Sequence, residues 1–179
     1  MPGAISAGAD RPRQIVAAAL RILEREGPEA LTMRRLATAV GIRAPSLYKH
    51  FADKAEVEQA LIAEGLAELG GLVGSWSGER GGDFGRIARG YRRFALERPH
   101  LYRLMTERPL DRERLPAGVE ERGVAPLVAL LGTRDRARAA WAFAHGMVQL
   151  ELAGRFPPDA DLDAAWEVGI GAFAATAGV

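Results

Sequence analysis

The chain has 179 residues, 48% of them apolar, and a formal net charge of +1, enough for one sizeable core or for a small domain joined to a larger one. It contains no cysteine, which excludes disulfides, thiolate catalysis and cysteine-based metal sites. Its three histidines, His50, His100 and His145, show no metal-ligand spacing.

No apolar run reaches transmembrane length, and the N-terminal MPGAISAGADRPR lacks the apolar centre of a signal peptide, so a soluble cytoplasmic protein is expected, with no membrane partner. The charge is unevenly spread. Residues 1–55 hold nine Arg and Lys against five acids, which leaves the remainder slightly acidic. A basic front on an acidic body points to one end that meets a polyanion, although chance asymmetry alone can produce it.

In chain order, RQIVAAALRILEREG places Ile15, Ala18, Ala19, Ile22 and Leu23 on one helical face, and Gly27-Pro28 stops that helix. LTMRRLATAVGIRAPSLYKHF, Leu31 to Phe51, then reads as two short helices about a glycine. Asp53 with Glu56 is a capping box for a helix whose face is Val57, Leu61, Leu66 and Leu69. The glycines crowded from Gly70 to Gly82 mark the expected boundary between a small N-terminal unit and a larger body. Helical spacing returns from Asp83 to Glu97, breaks at Pro99, and resumes in HLYRLM. A polar loop is expected over Pro109–Pro116, then helices over Val119–Leu131, Arg134–Phe156 and Leu162–Ala177. No stretch sustains the alternation of a strand, so the expected fold is all-α, about nine helices.

The second of these stretches carries the chemistry. Thr32 can cap a helix that turns Leu36, Ala37 and Val40 inward and Arg34, Arg35 and Thr38 outward. Gly41 stands where a left-handed backbone is needed, and Pro45 is tolerated in the first turn of a second helix running from Arg43 or Ala44 to Phe51. Leu47 and Phe51 face the core, which leaves Ala44, Pro45, Ser46, Tyr48, Lys49 and His50 outside. Helix, glycine turn and short helix form a helix-turn-helix, whose second helix enters the major groove of double-stranded DNA. Ala44 and Pro45 suit thymine methyls, Ser46 a base edge or a phosphate, and Tyr48, Lys49 and His50 the phosphates. Arg34 can reach a guanine or a phosphate, and Lys54 adds charge at a helix N-terminus that already favours an anion. Glycine-turned hairpins also occur in proteins that bind no nucleic acid.

The Ile15–Gly27 helix, Leu31-Thr32, Leu36-Ala37, Val40-Gly41, Leu47-Tyr48, Phe51 and Lys54 together resemble the tetracycline-repressor (TetR/AcrR) family of bacterial regulators over roughly residues 11–60. Two positions depart from the pattern. Arg43 stands where many members carry a capping Ser or Thr, and Met33 where Thr or Val is usual; Arg43 can offer DNA a contact in place of a cap. Trp141, His145 and Gly146, with Tyr91–Met105, resemble the WHG-type C-terminal domain of one subgroup. The resemblance implies a DNA-binding domain over 11–57 and a ligand-sensing and dimerisation domain over 58–179. It also implies a homodimer on a palindromic operator and a small apolar or aromatic effector.

Candidate lining residues for the effector are Tyr91, Phe94, Tyr102, Met105, Trp141, His145, Met147 and Trp166, although for each alone ordinary core packing is the commoner role. The Arg134–Phe156 stretch is apolar on more than one side and must be buried on more than one side. Phe143, Leu150, Gly154, Ile170 and Phe173 are the candidates for a dimer face. Arg89, Arg92 and Arg93 read as a solvated face, and Glu64, Glu68 and Glu151 as surface charge. No phosphate-binding loop, nucleophile elbow or carboxylate pair beside a histidine is found, so no enzyme, metal site or cofactor is expected. The alternatives are a DNA-binding regulator or architectural protein without a working sensor and, more remotely, an all-α enzyme.

Overall fold

The computed structural model describes residues 11–77 and 83–174. Among the described residues it contains nine α-helices, two short 3-10 turns and no strand. The chain divides into two compact units: one runs to Gly65 and takes in His100–Leu115, the other comprises Leu66–Pro99 and the chain from Pro116 onward.

In the first unit, α1 (Arg11–Glu26) buries Ile15, Val16, Ala18, Ala19, Ile22 and Leu23 along one face. It ends at Gly27, whose φ of 83° lies in the left-handed region. After a 3-10 turn at Pro28–Ala30 come α2 (Met33–Ala39) and α3 (Ala44–Leu47), with α1 against α2 and α2 against α3. Leu31, Leu36, Leu47, Val57 and Leu61 are almost wholly buried, each contributing roughly 2 kcal/mol by leaving water. The first half of α4 (Lys54–Ser77) and α6 (Pro99–Thr106) complete this unit. The Glu24 carboxylate accepts the backbone N–H of Leu101 at 2.7 Å, which satisfies a first-turn donor of α6 from α1.

The second unit gathers the rest of α4 with α5 (Phe84–Glu97), α7 (Val119–Leu131), α8 (Arg134–Leu152) and α9 (Leu162–Ala174). Asp83 caps α5 by accepting the Arg86 N–H at 2.7 Å, and Thr133 caps α8 through Arg136 at 3.2 Å. Phe84, Ile87, Ala88, Tyr91, Phe94 and Ala95 make α5 the buried centre of this unit, packed against α7, α8 and α9.

Two expectations change, and a third falls partly outside the described residues. The glycine-rich stretch begins inside a helix: α4 continues through Gly70, Gly71 and Gly74 to Ser77, while 78–82 lies outside the described residues. A Cβ on Gly70 would stand 3.3 Å from both Arg122 Cβ and the Gly123 nitrogen of α7, so this glycine marks a close helix approach rather than a linker. Next, α8 stops at Leu152, not Phe156. Gly154 (φ 60°) lets its own N–H reach Glu151 O at 3.1 Å and that of Arg155 reach Leu150 O at 2.9 Å, a Schellman stop. Last, α9 is described only to Ala174; the remainder of the stretch expected to Ala177 lies outside the described residues.

Of the three arginines of α5 expected on a solvated face, Arg89 and Arg93 are exposed and Arg92 is not. Arg92 is not a solvated side chain, and Glu151 is not surface charge: Arg92 Nε and Nη2 both donate to the Glu151 carboxylate (2.9 and 2.8 Å), while Nη1 reaches Asp163 at 2.5 Å. The guanidinium lies 5.6 Å over the buried Trp166 ring, whose Nε1 donates to Glu151 at 3.4 Å. The hydrogen bonds to Glu151, aided by Asp163, hold the Arg92 pKa above its ordinary value despite partial burial. Glu68 pairs with Arg98, and Arg89 with Glu167 at 2.7 Å.

Candidate nucleic-acid interface

The helix-turn-helix is held by local chemistry that its sequence dictates. Thr32 Oγ1 accepts the Arg35 N–H at 3.2 Å and starts α2. At its end Gly41 takes φ 68°, and the N–H groups of Gly41 and Ile42 return to Thr38 O (3.1 Å) and Ala37 O (3.0 Å), a second Schellman stop. Arg43 then occupies the N-cap of α3 in an extended conformation, without a side-chain cap bond, and Pro45 sits in the first turn. The helix expected to reach Phe51 is regular only over Ala44–Leu47. Turn hydrogen bonds carry the backbone on, with the N–H groups of both His50 and Phe51 donating to Leu47 O. Leu47 and Phe51 are buried, and their anchoring sets the orientation of the residues between them.

Arg43, Pro45, Ser46, Tyr48, Lys49 and His50 are all exposed on one continuous segment, Ala44 is half-buried, and Thr32 and Arg34 are exposed on α2 and its cap. Tyr48 is 52% exposed, unusual for a tyrosine that could have joined the adjoining core. The outward set therefore presents three cations, a phenol, an imidazole, two hydroxyls and small apolar groups, the mixture that meets both phosphates and base edges.

Lys54 is placed differently from the rest. It is half-buried, and its Nζ donates to Pro28 O at 3.0 Å and stands 3.5 Å from Glu58. Glu58 is buried and also accepts Arg108 at 3.0 Å. Lys54 thus clasps the turn after α1 to the start of α4. Asp53 caps α4 through the Glu56 N–H at 2.8 Å, and the Glu56 carboxylate reaches back to the Ala52 N–H at 2.5 Å.

The residues expected to line an effector site fall in both units. Tyr102 and Met105 are buried in the first, where Met105 Sδ and Leu101 lie against Gly65. In the second, Tyr91, Phe94 and Trp166 are buried, His145 and Met147 are half-buried, and Trp141 is 50% exposed. Trp141 Nε1 donates to Tyr91 Oη at 3.3 Å, and its ring centroid lies 5.7 Å from that of His145.

Of the residues expected at a dimer face, Leu150 and Gly154 are exposed and Ile170 is buried within its own chain. Phe143 and Phe173 are half-buried in an aromatic cluster of edge-on and tilted rings: Phe143 lies 5.6 Å from Trp166 and 6.0 Å from Phe173, which is 5.2 Å from Phe84. Val168, 77% exposed on α9, went unnoticed in the sequence.

Burial pushes the His145 pKa below its ordinary value. A histidine that titrates lower when folded leaves the unfolded chain binding more protons, so its stability contribution is complete above about pH 6.5 and is lost as pH falls through the folded value. Thermal melts from pH 7.5 to 5 should show the wild type losing more stability than His145→Gln. Parallel curves would contradict the assignment.

Two family descriptions match the chain: "Bacterial regulatory proteins, tetR family" over residues 15–61 and "Tetracyclin repressor-like, C-terminal domain" over residues 84–173. An uncharacterized HTH-type transcriptional regulator of Mycobacterium tuberculosis is 30% identical over 161 residues, 84% of this chain and 73% of its own length. The class A tetracycline repressor from transposon 1721 of Escherichia coli is 40% identical over 58 residues, 32% of this chain and 27% of that protein. A variant of the TetR of Acinetobacter baumannii, solved in complex with minocycline, superposes with a TM-score of 0.64 at 26% identity and covers 91% of this chain and 93% of its own.

Proposed function

The chain belongs to the TetR family of bacterial regulatory proteins, and on that premise we propose that it is a ligand-responsive transcriptional repressor acting as a homodimer on a palindromic operator. The observation that carries the reading is the exposed Arg43–His50 segment, with Leu47 and Phe51 anchored beneath it. In this reading the segment enters the major groove, with Ala44, Pro45 and Ser46 at base edges and Tyr48, Lys49 and His50 on phosphates. Thr32 and Arg34 extend the interface from α2, and Arg43 serves as a DNA contact in place of a helix cap. Lys54 joins them only by exchanging Pro28 O or Glu58 for a phosphate. The DNA-binding domain is assigned to 11–57 and the sensing and dimerisation domain to 58–179.

A second copy is supported by the outward faces of α8 and α9. Ala142 and Leu150 on α8, and Ala165, Val168 and Ala172 on α9, are exposed and apolar at helical spacing. A twofold dimer sets two recognition helices about one DNA turn, roughly 34 Å, apart. The effector is assigned to the neighbourhood of Tyr91, Trp141 and His145, where a half-exposed indole offers a stacking surface and a half-buried imidazole a polar anchor. The minocycline-bound relative supports an aromatic ligand. Its binding would favour a body conformation in which the two recognition helices no longer match successive grooves.

The test is footprinting of the protein on the DNA upstream of its own gene, followed by titration of that duplex. Lys49→Ala should weaken binding to every duplex and lower the slope of log K against log salt by about one for each phosphate it ceases to neutralise. Ser46→Ala should alter base preference instead. If Tyr48→Ala and Lys49→Ala both bind like the wild type, the reading is wrong.

A further inference from the structure

A groove of about 530 Å³ lies between α1 and α2 in the first unit. Its lining includes the buried Ala18 and Ile22 of α1, together with Arg21 and Arg25 of α1 and Arg34 and Arg35 of α2. Four arginines face a single carboxylate in the lining, Glu26, and Glu26 is committed to Arg35 at 2.5 Å. Arg21, Arg25 and Arg34 are exposed, and none makes an ion pair or a side-chain hydrogen bond among the described residues.

Three guanidinium groups around one concavity, with no compensating charge, form a region of positive potential that disfavours the empty state and favours an anion. Arg21 and Arg25 are four residues apart and therefore lie on the same side of α1, one turn from each other. The groove is not an isolated patch: Thr32 and Arg34 line it and also belong to the surface assigned to DNA. From Arg34 the positive surface continues across the groove to Arg21 and Arg25 on α1.

We propose that this groove seats the sugar–phosphate backbone of the operator outside the stretch read by α3, with Arg21 and Arg25 each on a phosphate and Ala18 and Ile22 against deoxyribose. The inference rests on the DNA-binding reading above and enlarges its footprint. Guanidinium groups suit this role because their planar fork binds phosphate oxygens in pairs. Such an interaction carries no sequence information, so it adds affinity and register rather than base choice.

The experiment uses the full-length protein and its footprinted operator, on one duplex trimmed to the bases protected by the recognition segment and one extended by a half turn at each end. Arg21→Ala/Arg25→Ala should bind the long duplex more weakly, with the slope of log K against log salt reduced by about one for each phosphate that a protomer no longer neutralises. Hydroxyl-radical cleavage should reappear at the outermost protected sugars and nowhere else, and Arg21→Lys/Arg25→Lys should recover most of the slope. On the trimmed duplex the double alanine variant should match the wild type.

Equal slopes and footprints on the long duplex would overturn the proposal. Competition by poly-glutamate for the groove with no change in the footprint would also overturn it, since the occupant would then be an acidic peptide. Lys49→Ala is the internal reference. If it weakens binding while the Arg21/Arg25 variant does not, only the groove assignment fails; if neither does, the helix-turn-helix reading fails with it. Both arginines are exposed, so unchanged helical circular dichroism is the folding control.

Discussion

In the proposed homodimer, Leu150→Glu/Val168→Glu is expected to leave a monomer and to weaken binding to the proposed operator on the order of 10²–10⁴-fold. The size of the effect comes from bivalency. In a dimer the second half-site is engaged as an intramolecular event, and a monomer loses that advantage even though its recognition segment is untouched. Leu150 is 44% exposed and Val168 77% exposed in the isolated chain, so glutamate at either position leaves the monomer core undisturbed. At an apolar interface the same two substitutions place four carboxylates against one another across the twofold axis, without partners. Sedimentation gives the mass and a titration of the palindromic duplex gives the affinity. A variant that keeps both would remove this face of α8 and α9 from the dimer.

Arg92→Ala is expected to lower unfolding free energy by about 3 kcal/mol, because it strands a carboxylate that the fold has largely removed from water. The Glu151 side chain is 13% exposed, and without Arg92 it keeps only the long hydrogen bond from Trp166 Nε1. For a chain of this size such a loss lowers Tm by roughly 6–12 °C. Asp163, the other partner of Arg92, is 86% exposed on its side chain, and Asp163→Ala should stay within about 0.5 kcal/mol of the wild type. Arg92→Met/Glu151→Met should be more stable than the sum of its single changes, since removing both charges leaves neither unpaired. Denaturant titrations with a common m-value measure all five variants against the wild type. A single-variant loss below about 0.5 kcal/mol would reduce the network to surface decoration.

The first unit was the more legible in sequence because its signals are local. Thr32, Gly41 and Pro45 each act within one turn of backbone, so residue type at a position decides the conformation there. The inward set Leu36, Ala37, Leu47 and Phe51 followed from helical period over short distances. Lys54 escaped that reading, because Pro28 O and Glu58 meet it only when α4 returns to the end of α1.

In the second unit the deciding contacts are remote in sequence. Arg92 meets Glu151 and Asp163 across 59 and 71 residues, and nothing near Arg92 distinguishes it from its neighbours Arg89 and Arg93. The apolar residues of α8 and α9 could not be sorted into core and outer face by period alone. Phe143, Ile170 and Phe173 turn to their own chain, while Leu150 and Val168 turn outward. A helix flanked on several sides loses the polar stripe that would report its orientation. Gly70 and Gly154 show the same limit. The residue type announces a special backbone or a close approach, and only the packing says which: a helix crossing at Gly70, a helix stop at Gly154.

The all-helical class, the caps and stops of α2, and which side chains of residues 43–50 face outward can be read from the sequence, because backbone conformation and helical period are properties of a few consecutive residues. Only the packing of helices settles which charges pair, which aromatic rings meet and which apolar faces stay open. Those follow from distances between helices that no local pattern encodes.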